Sequence, residues 1–248
     1  LDQFSHKDTS AATSAHGYGI TSQIATNSTV ENLAMSLQVL DSPDPRHVAA
    51  RIQTLKAQGL QAAILYISPI NLAGDKTAKK PAIDAIRAAG VDIGFVCEGW
   101  GGSNNFSHHD INAACGARDG ATCGKWLEQL GAPRGTAVYP TVDNDASTSQ
   151  IASLCLPYFT AFRESLSHTY AMGVYGCGAL IEALDAAMLI DYRWLSNAMG
   201  WNGSRAYRDS GKWDILQGLA THAAGIDIDP DRLNPNRSDF GFWKAGAS

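Results

Sequence analysis

Short apolar runs alternate along this chain with stretches whose apolar residues recur every three or four positions. AMSLQVLD (34–41) has the first character and predicts a strand; RHVAARIQTLKAQG, which follows Pro45, has the second and predicts a helix. The alternation continues with AAILYIS (62–68), then KKPAIDAIRAAG; with VDIGFVCE (91–98), then a Gly/Asn/Ser-rich loop and a helical stretch around CGKWLEQLG; and with GTAVYPTVD, then a long helix over about 149–168. MGVYG (172–176) and ALIEALDAAM form the fifth pair. Each strand is closed by Gly, Ser or an acid. Two helices run into glycine, in AQG and AAG, the residue that accepts a left-handed C-terminal cap. Five βα units in series predict a parallel sheet with helices outside it.

The rhythm then changes. DYRWLS (191–196), WDILQG (213–218) and AGIDID (224–229) read as strands with no helix between them. Five βα units and three bare strands make eight, which predicts an α/β fold: an irregular TIM-like barrel with one helix-poor side. The competing architecture is an open doubly wound sheet, but no G-x-G-x-x-G follows the first strand, so a dinucleotide version has no support. Residues 1–33 are rich in Ser, Thr and Ala without a period and read as a lead-in or flap, leaving 34–248 as a single barrel.

In such a barrel reactive groups sit where the strands end and the βα loops begin. Those ends carry Asp41, Ser68, Glu98, Asp143 with Asp145, Ser196, Gln217 and Asp227. An aspartate before a helix is also an ordinary N-cap, a reading open to Asp41, Asp44 and Asp145. Asp143 lies inside the strand's alternation, and residues two apart on a strand share a face, so Asp143 and Asp145 are expected to face the mouth together. Two close carboxylates repel, and one keeps its proton while the other ionises. Glycosidic cleavage needs that division: one acid for the leaving oxygen, one anion for the positive charge on the sugar. Pro140, which removes a ladder donor, predicts a bulge nearby.

Taken in order, Asp41, the stretch GARDGATCGKWLEQLGAPRGT (116–136) leading into AVYPTVDND, MGVYG, Trp194, WDILQG and GIDID resemble the glycoside-hydrolase-like barrel domains related to the family 25 lysozymes. The likeness spans about 34–245. It implies five βα units followed by three strands without helices, and hydrolysis of the β-1,4 bond between N-acetylmuramic acid and N-acetylglucosamine in peptidoglycan or a related amino-sugar polymer. It implies no cofactor and no metal. The family's fourth strand ends in Asp-x-Glu with Glu as proton donor; the matching positions here are Asp143 and Asp145. Asp41 and Asp227 match the first- and eighth-strand acids, and Gln217 the seventh-strand glutamine. Asp145 is one methylene shorter than Glu, which sets a donor back by about 1.5 Å. Glu98 is the residue placed to take over. Gly218 stands where the family has Tyr after the glutamine.

Composition narrows the remaining choices. The net charge is −5 and no basic run exceeds Lys79–Lys80, which argues against a nucleic-acid partner or an acidic membrane surface. No apolar stretch approaches the roughly 20 residues of a membrane span. The sequence begins without the charged-then-apolar layout of a secretory signal, while the implied glycan substrate predicts a secreted or envelope-delivered protein. Five cysteines with no C-x-x-C predict buried thiols rather than a zinc site or disulfide framework. Trp100, in the loop CEGWGGSNNFSHHD, is placed to stack on a sugar. Trp194 and Trp213 lie on bare strands, where the core is the favoured location and the cleft the alternative. Tyr175 is a candidate hydrogen-bond donor to substrate. A metal held by His109, Asp110 and the strand-four acids is a weaker option, since the adjacent His108 and His109 diverge on regular structure. No G-x-S-x-G elbow supports Ser-His-Asp chemistry. The reading is a glycoside hydrolase acting through Asp143, Asp145 and Glu98, with Asp41, Tyr175, Trp100, Trp194, Gln217 and Asp227 binding the sugar. The alternative is a carbohydrate-binding barrel without catalysis.

Overall fold

The computed structural model describes residues 37–98 and 111–246, so expectations for the lead-in, Trp100, His108, His109 and Asp110 fall outside the described residues. Seven strands run parallel and in sequence order: β1 (Val39–Ser42), β2 (Ala62–Ile67), β3 (Asp92–Cys97), β4 (Ala137–Pro140), β5 (Ala171–Gly176), β6 (Tyr192–Leu195) and β7 (Ile215–Gln217). The ring closes through β9 (Ile226–Leu233), which runs antiparallel to both β7 and β1, with Asp41 opposite Asp229 and Gln217 opposite Asp231. β8 (Thr221–Ala223) is a short arm paired only with β9. An eight-stranded barrel with one added strand is the result.

The helices are α1 (Pro45–Ala57), α2 (Lys80–Ala88), α3 (Ala113–Leu130), α4 (Leu156–Ser165), α5 (Gly178–Ala186) and α6 (Ser204–Ser210). Local chemistry sets their ends. Asp44 caps α1 by accepting from the His47 amide, the ordinary role foreseen for it, and Pro45 follows at the first turn. Asn112 caps α3, and Gly131, at φ 77°, ends it. The long helix expected after β4 forms over 148–165 with a π-helical turn at Ile151–Cys155 leading into α4. The side expected to lack helices carries a single short one, α6, held between the left-handed glycines Gly203 and Gly211.

Period-two alternation splits the apolar side chains into two clusters. Leu40, Leu65, Phe95, Val138, Val174 and Leu195 face outward against the helices. Val39, Ile64, Val96, Tyr139, Trp194 and Ile215 fill the barrel interior. Tyr139 owes its place to Gly173: a Cβ there would lie 2.3 Å from its ring. From below, Phe240 and Phe242 plug the barrel, and the Tyr139 hydroxyl donates to the Phe240 carbonyl at 2.6 Å. Trp213 packs in the outer cluster, and Trp194 is 1% exposed, so both tryptophans are core residues. All five cysteines are buried thiols.

Pro140 does not produce a bulge. Pairing of β4 with β5 begins at Ala137↔Ala171 and resumes at the bridge Thr141↔Tyr175, four residues on in each strand. The register is kept and only the intervening pairs are lost, because a missing N–H removes a ladder bond without inserting a residue.

Candidate functional site

The mouth of the barrel holds a recess lined by Tyr66, Val96, Glu98, Thr141, Asp143, Tyr175, Trp194, Gln217 and Asp229. Its mix of aromatic faces with a few polar groups suits a small-molecule or sugar-ring site. Seven strands, β2 to β7 and β9, contribute side chains at or just beyond their ends at the mouth. Glu98 follows β3, its amide still donating to the Ile67 carbonyl of β2, and its carboxylate forms a 2.5 Å ion pair with Lys76. The Lys76 ammonium also lies 4.5 Å from the centre of the Tyr66 ring. Trp194 forms the floor, edge-on to both Tyr139 and Tyr175 at centroid separations of 5.9 and 4.8 Å.

Beneath the recess is a continuous hydrogen-bond chain. Tyr66 donates to Asp41 Oδ1 at 2.9 Å, and Gln217 Nε2 donates to Asp41 Oδ2 at 3.2 Å. The Tyr175 hydroxyl lies 2.7 Å from Gln217 Oε1 and 3.4 Å from Asp143 Oδ1. One level deeper, Trp194 Nε1 donates to Asp231 Oδ1 at 2.8 Å, while Asp231 Oδ2 is buried without a hydrogen-bond partner among the described residues.

This concentration of carboxylates in a poorly hydrated barrel favours their neutral forms. Burial pushes Asp41 up to about 7, with the Asp229 charge adding to the effect and the donors Tyr66 and Gln217 opposing it. Burial raises Asp143 as well, followed by the field of Glu98, while the Tyr175 hydroxyl pulls the other way. Asp229 is raised by burial. Asp231 is raised well above the carboxylate range by burial and then by Asp41.

Not every acid expected at the mouth is there. Asp145 is exposed and accepts from the Asn202 amide at 2.7 Å, away from the recess. Strand β4 ends at Pro140, so the two-residue alternation that would have aligned Asp143 with Asp145 no longer operates. Asp227, expected as the eighth-strand acid, is 99% exposed and paired with His222 at 2.9 Å on the β8–β9 hairpin. The residue at the rim is Asp229, with Asp231 below it. The reason is strand direction: β9 runs antiparallel, descending into the barrel as numbering rises, so its rim residue lies two positions after Asp227. The segment AGIDID hides a hairpin turn, because Ala224 and Gly225 both have positive φ, 52° and 82°, as a two-residue type I′ loop requires. That Gly is the signal in the sequence that could have revealed it.

Glu98, Asp143, Tyr175, Trp194 and Gln217 are brought together at the recess, and Asp41 lies directly under it at 1% exposure. Tyr66, Thr141, Asp229 and Lys76 complete the set. Among the described residues no group of three or more His, Cys, Asp and Glu is placed to hold a metal ion, and no helix is long and apolar enough to cross a membrane.

Residues 53–237 match the family described as "Rv2525c-like, glycoside hydrolase-like domain". The fold superposes on the Mycobacterium tuberculosis Tat-secreted protein Rv2525c, solved in complex with L-tartrate, with a TM-score of 0.63 at 20% identity, covering 83% of this chain and 98% of that one. An uncharacterized B. stearothermophilus protein aligns at a TM-score of 0.53 and 14% identity, over 78% of this chain and 94% of the other. The uncharacterized protein YbfG of Bacillus subtilis is 30% identical over 129 residues, 46% of this chain; the match spans 18% of YbfG's own length.

Proposed function

The chain belongs to the family of Rv2525c-like glycoside hydrolase-like domains, and from its recess we propose a glycan-cleaving enzyme acting on peptidoglycan or a similar amino-sugar polymer. The observation that carries this reading is the entry of Glu98 and Asp143 into one recess from the adjacent strands β3 and β4, over a wall of Tyr66, Tyr175 and Trp194. In this reading Asp143, held towards its neutral form by burial and the Glu98 charge, protonates the leaving glycosidic oxygen. Glu98, ion-paired with Lys76, presents the anion that meets positive charge at the sugar. The aromatic faces bind the apolar side of the ring. Asp41 below the recess and Asp229 at its rim set the charge around the pair. Secretion of Rv2525c supports an extracellular site of action for this chain too.

A second reading, a barrel that binds glycan without cutting it, is favoured by one feature: Asp145, in the position of the expected donor, is turned to the Asn202 amide. Purified cell wall incubated with wild type, Asp143→Asn, Glu98→Gln and Asp145→Asn, with released reducing ends followed, separates the two. Cleavage predicts losses of about 100-fold or more in the first two variants and near wild-type release in the third. Sedimentation of the wild type with the wall and no release would establish the binding reading instead.

A further inference from the structure

In the chain from Tyr66 to Asp143 one member can reverse its polarity without leaving its place. Tyr66 can only donate to the Asp41 carboxylate, at 2.9 Å. Gln217 carries a donor on one side and an acceptor on the other, and half a turn about its last side-chain bond exchanges them. As found, its Nε2 donates to Asp41 Oδ2 at 3.2 Å and its Oε1 accepts from Tyr175 at 2.7 Å. The Tyr175 hydroxyl has a single hydrogen, and at 3.4 Å Asp143 Oδ1 is the poorer of its two acceptors. That arrangement suits an anionic Asp41, since an acid proton on Oδ2 would face Gln217 Nε2 and set donor against donor.

We propose that Gln217 is a positioning residue that reverses its side-chain amide and so passes the protonation state of Asp41 to Asp143 through the Tyr175 hydroxyl. When Asp41 takes up a proton on Oδ2, that O–H donates to a reversed Gln217 Oε1. Gln217 Nε2 then donates to the Tyr175 oxygen, and the Tyr175 hydrogen swings to Asp143. One proton is bound, at Asp41; two groups rotate, and no bond between heavy atoms forms or breaks. Asp143 thus acquires a donor only when Asp41 is neutral, and its anion is stabilised when a proton enters below. The effect takes the recess to be the working site, as proposed above, but it concerns where protons reside and not whether a glycan is cut.

Other charges face the same groups. Asp41 meets Asp229 and Asp231 from β9 and Glu98 beyond β3, besides Tyr66 and Gln217. Asp143 meets Glu98, Asp229 and Lys76 besides Tyr175. Direct field coupling between Asp41 and Asp143 has the same sign as the relay, so the test must cut the relay and leave both carboxylates. Aspartate-labelled protein is followed by carbon-13 carboxyl NMR from pH 4.5 to 9, with Asp41 and Asp143 assigned from the Asp41→Asn and Asp143→Asn variants. In the wild type the Asp143 resonance shows a second inflection where Asp41 titrates, at about 7. Gln217→Met and Tyr175→Phe each shrink that inflection to the part that the direct field supplies, while both carboxylates still titrate. If Gln217→Met fails to give a folded amide spectrum, Tyr175→Phe alone decides, because it leaves the Gln217–Asp41 bond in place. An inflection of wild-type size in the folded variants would overturn the relay. Since the readout is proton binding, the relay stands or falls independently of glycan cleavage.

Discussion

Replacing Asp41 by Asn removes a charge that the barrel interior disfavours. Asp41 is 1% exposed, and its carboxyl titrates at about 7 in the folded protein against 3.8 unfolded. The folded state therefore holds a proton that the unfolded chain has released throughout that interval. Stability is fully present below the unfolded value and is lost as pH rises through the folded one. The whole shift is worth about 4 kcal/mol, of which more than half is lost between pH 5 and pH 8. The raised Asp143, Asp229 and Asp231 act in the same direction, so the wild type loses at least this much. Asn keeps an acceptor for Tyr66 and, with Gln217 reversed, a donor for its oxygen, while escaping the cost of ionisation. Urea unfolding of both proteins at pH 5, 6, 7 and 8 is the assay. The two stabilities should lie close together at pH 5 and separate by roughly 2 kcal/mol at pH 8, with the variant the more stable. A wild type that gains stability from pH 5 to 8, or an Asn variant with the same slope, would refute the assignment of a neutral Asp41 to the folded state.

Three further outcomes are expected. Gly116→Ala should cost about 3 kcal/mol in urea unfolding, since its Cβ would lie 2.1 Å from the Tyr158 carbonyl oxygen on α4, whereas Gly124→Ala, whose nearest contact is 3.3 Å, should stay within about 1 kcal/mol of wild type. Ala224→Gly should raise stability by about 1 kcal/mol, because it relieves a left-handed alanine, φ 52°, in the β8–β9 turn; an unchanged urea midpoint would contradict the strain. Asp229→Asn should weaken glycan binding at the recess, measured by cell-wall sedimentation, while Asp227→Asn, altering a carboxylate 99% exposed, should leave it unchanged.

The sequence by itself determined the βα order, the helix-poor side, the burial of the cysteines and the acids that close β1 and β3. These follow from periods of two and about 3.6 and from residues, such as Asp44 with Pro45 and Gly131, whose backbone preferences act locally. Glu98, Asp143, Tyr175 and Gln217 were legible as site candidates because each falls where an apolar run stops. What tertiary structure alone decided is the depth and direction of each side chain. Strand periodicity carries no sign for parallel or antiparallel, so the reversal of β9 moved the rim acid from Asp227 to Asp229 and placed Asp231 beneath. Alternation also holds only while a strand persists, and the end of β4 at Pro140 sent Asp145 to the Asn202 amide. The chain of hydrogen bonds from Asp41 to Asp143 joins residues up to 176 positions apart, and only closure of the barrel brings them within reach.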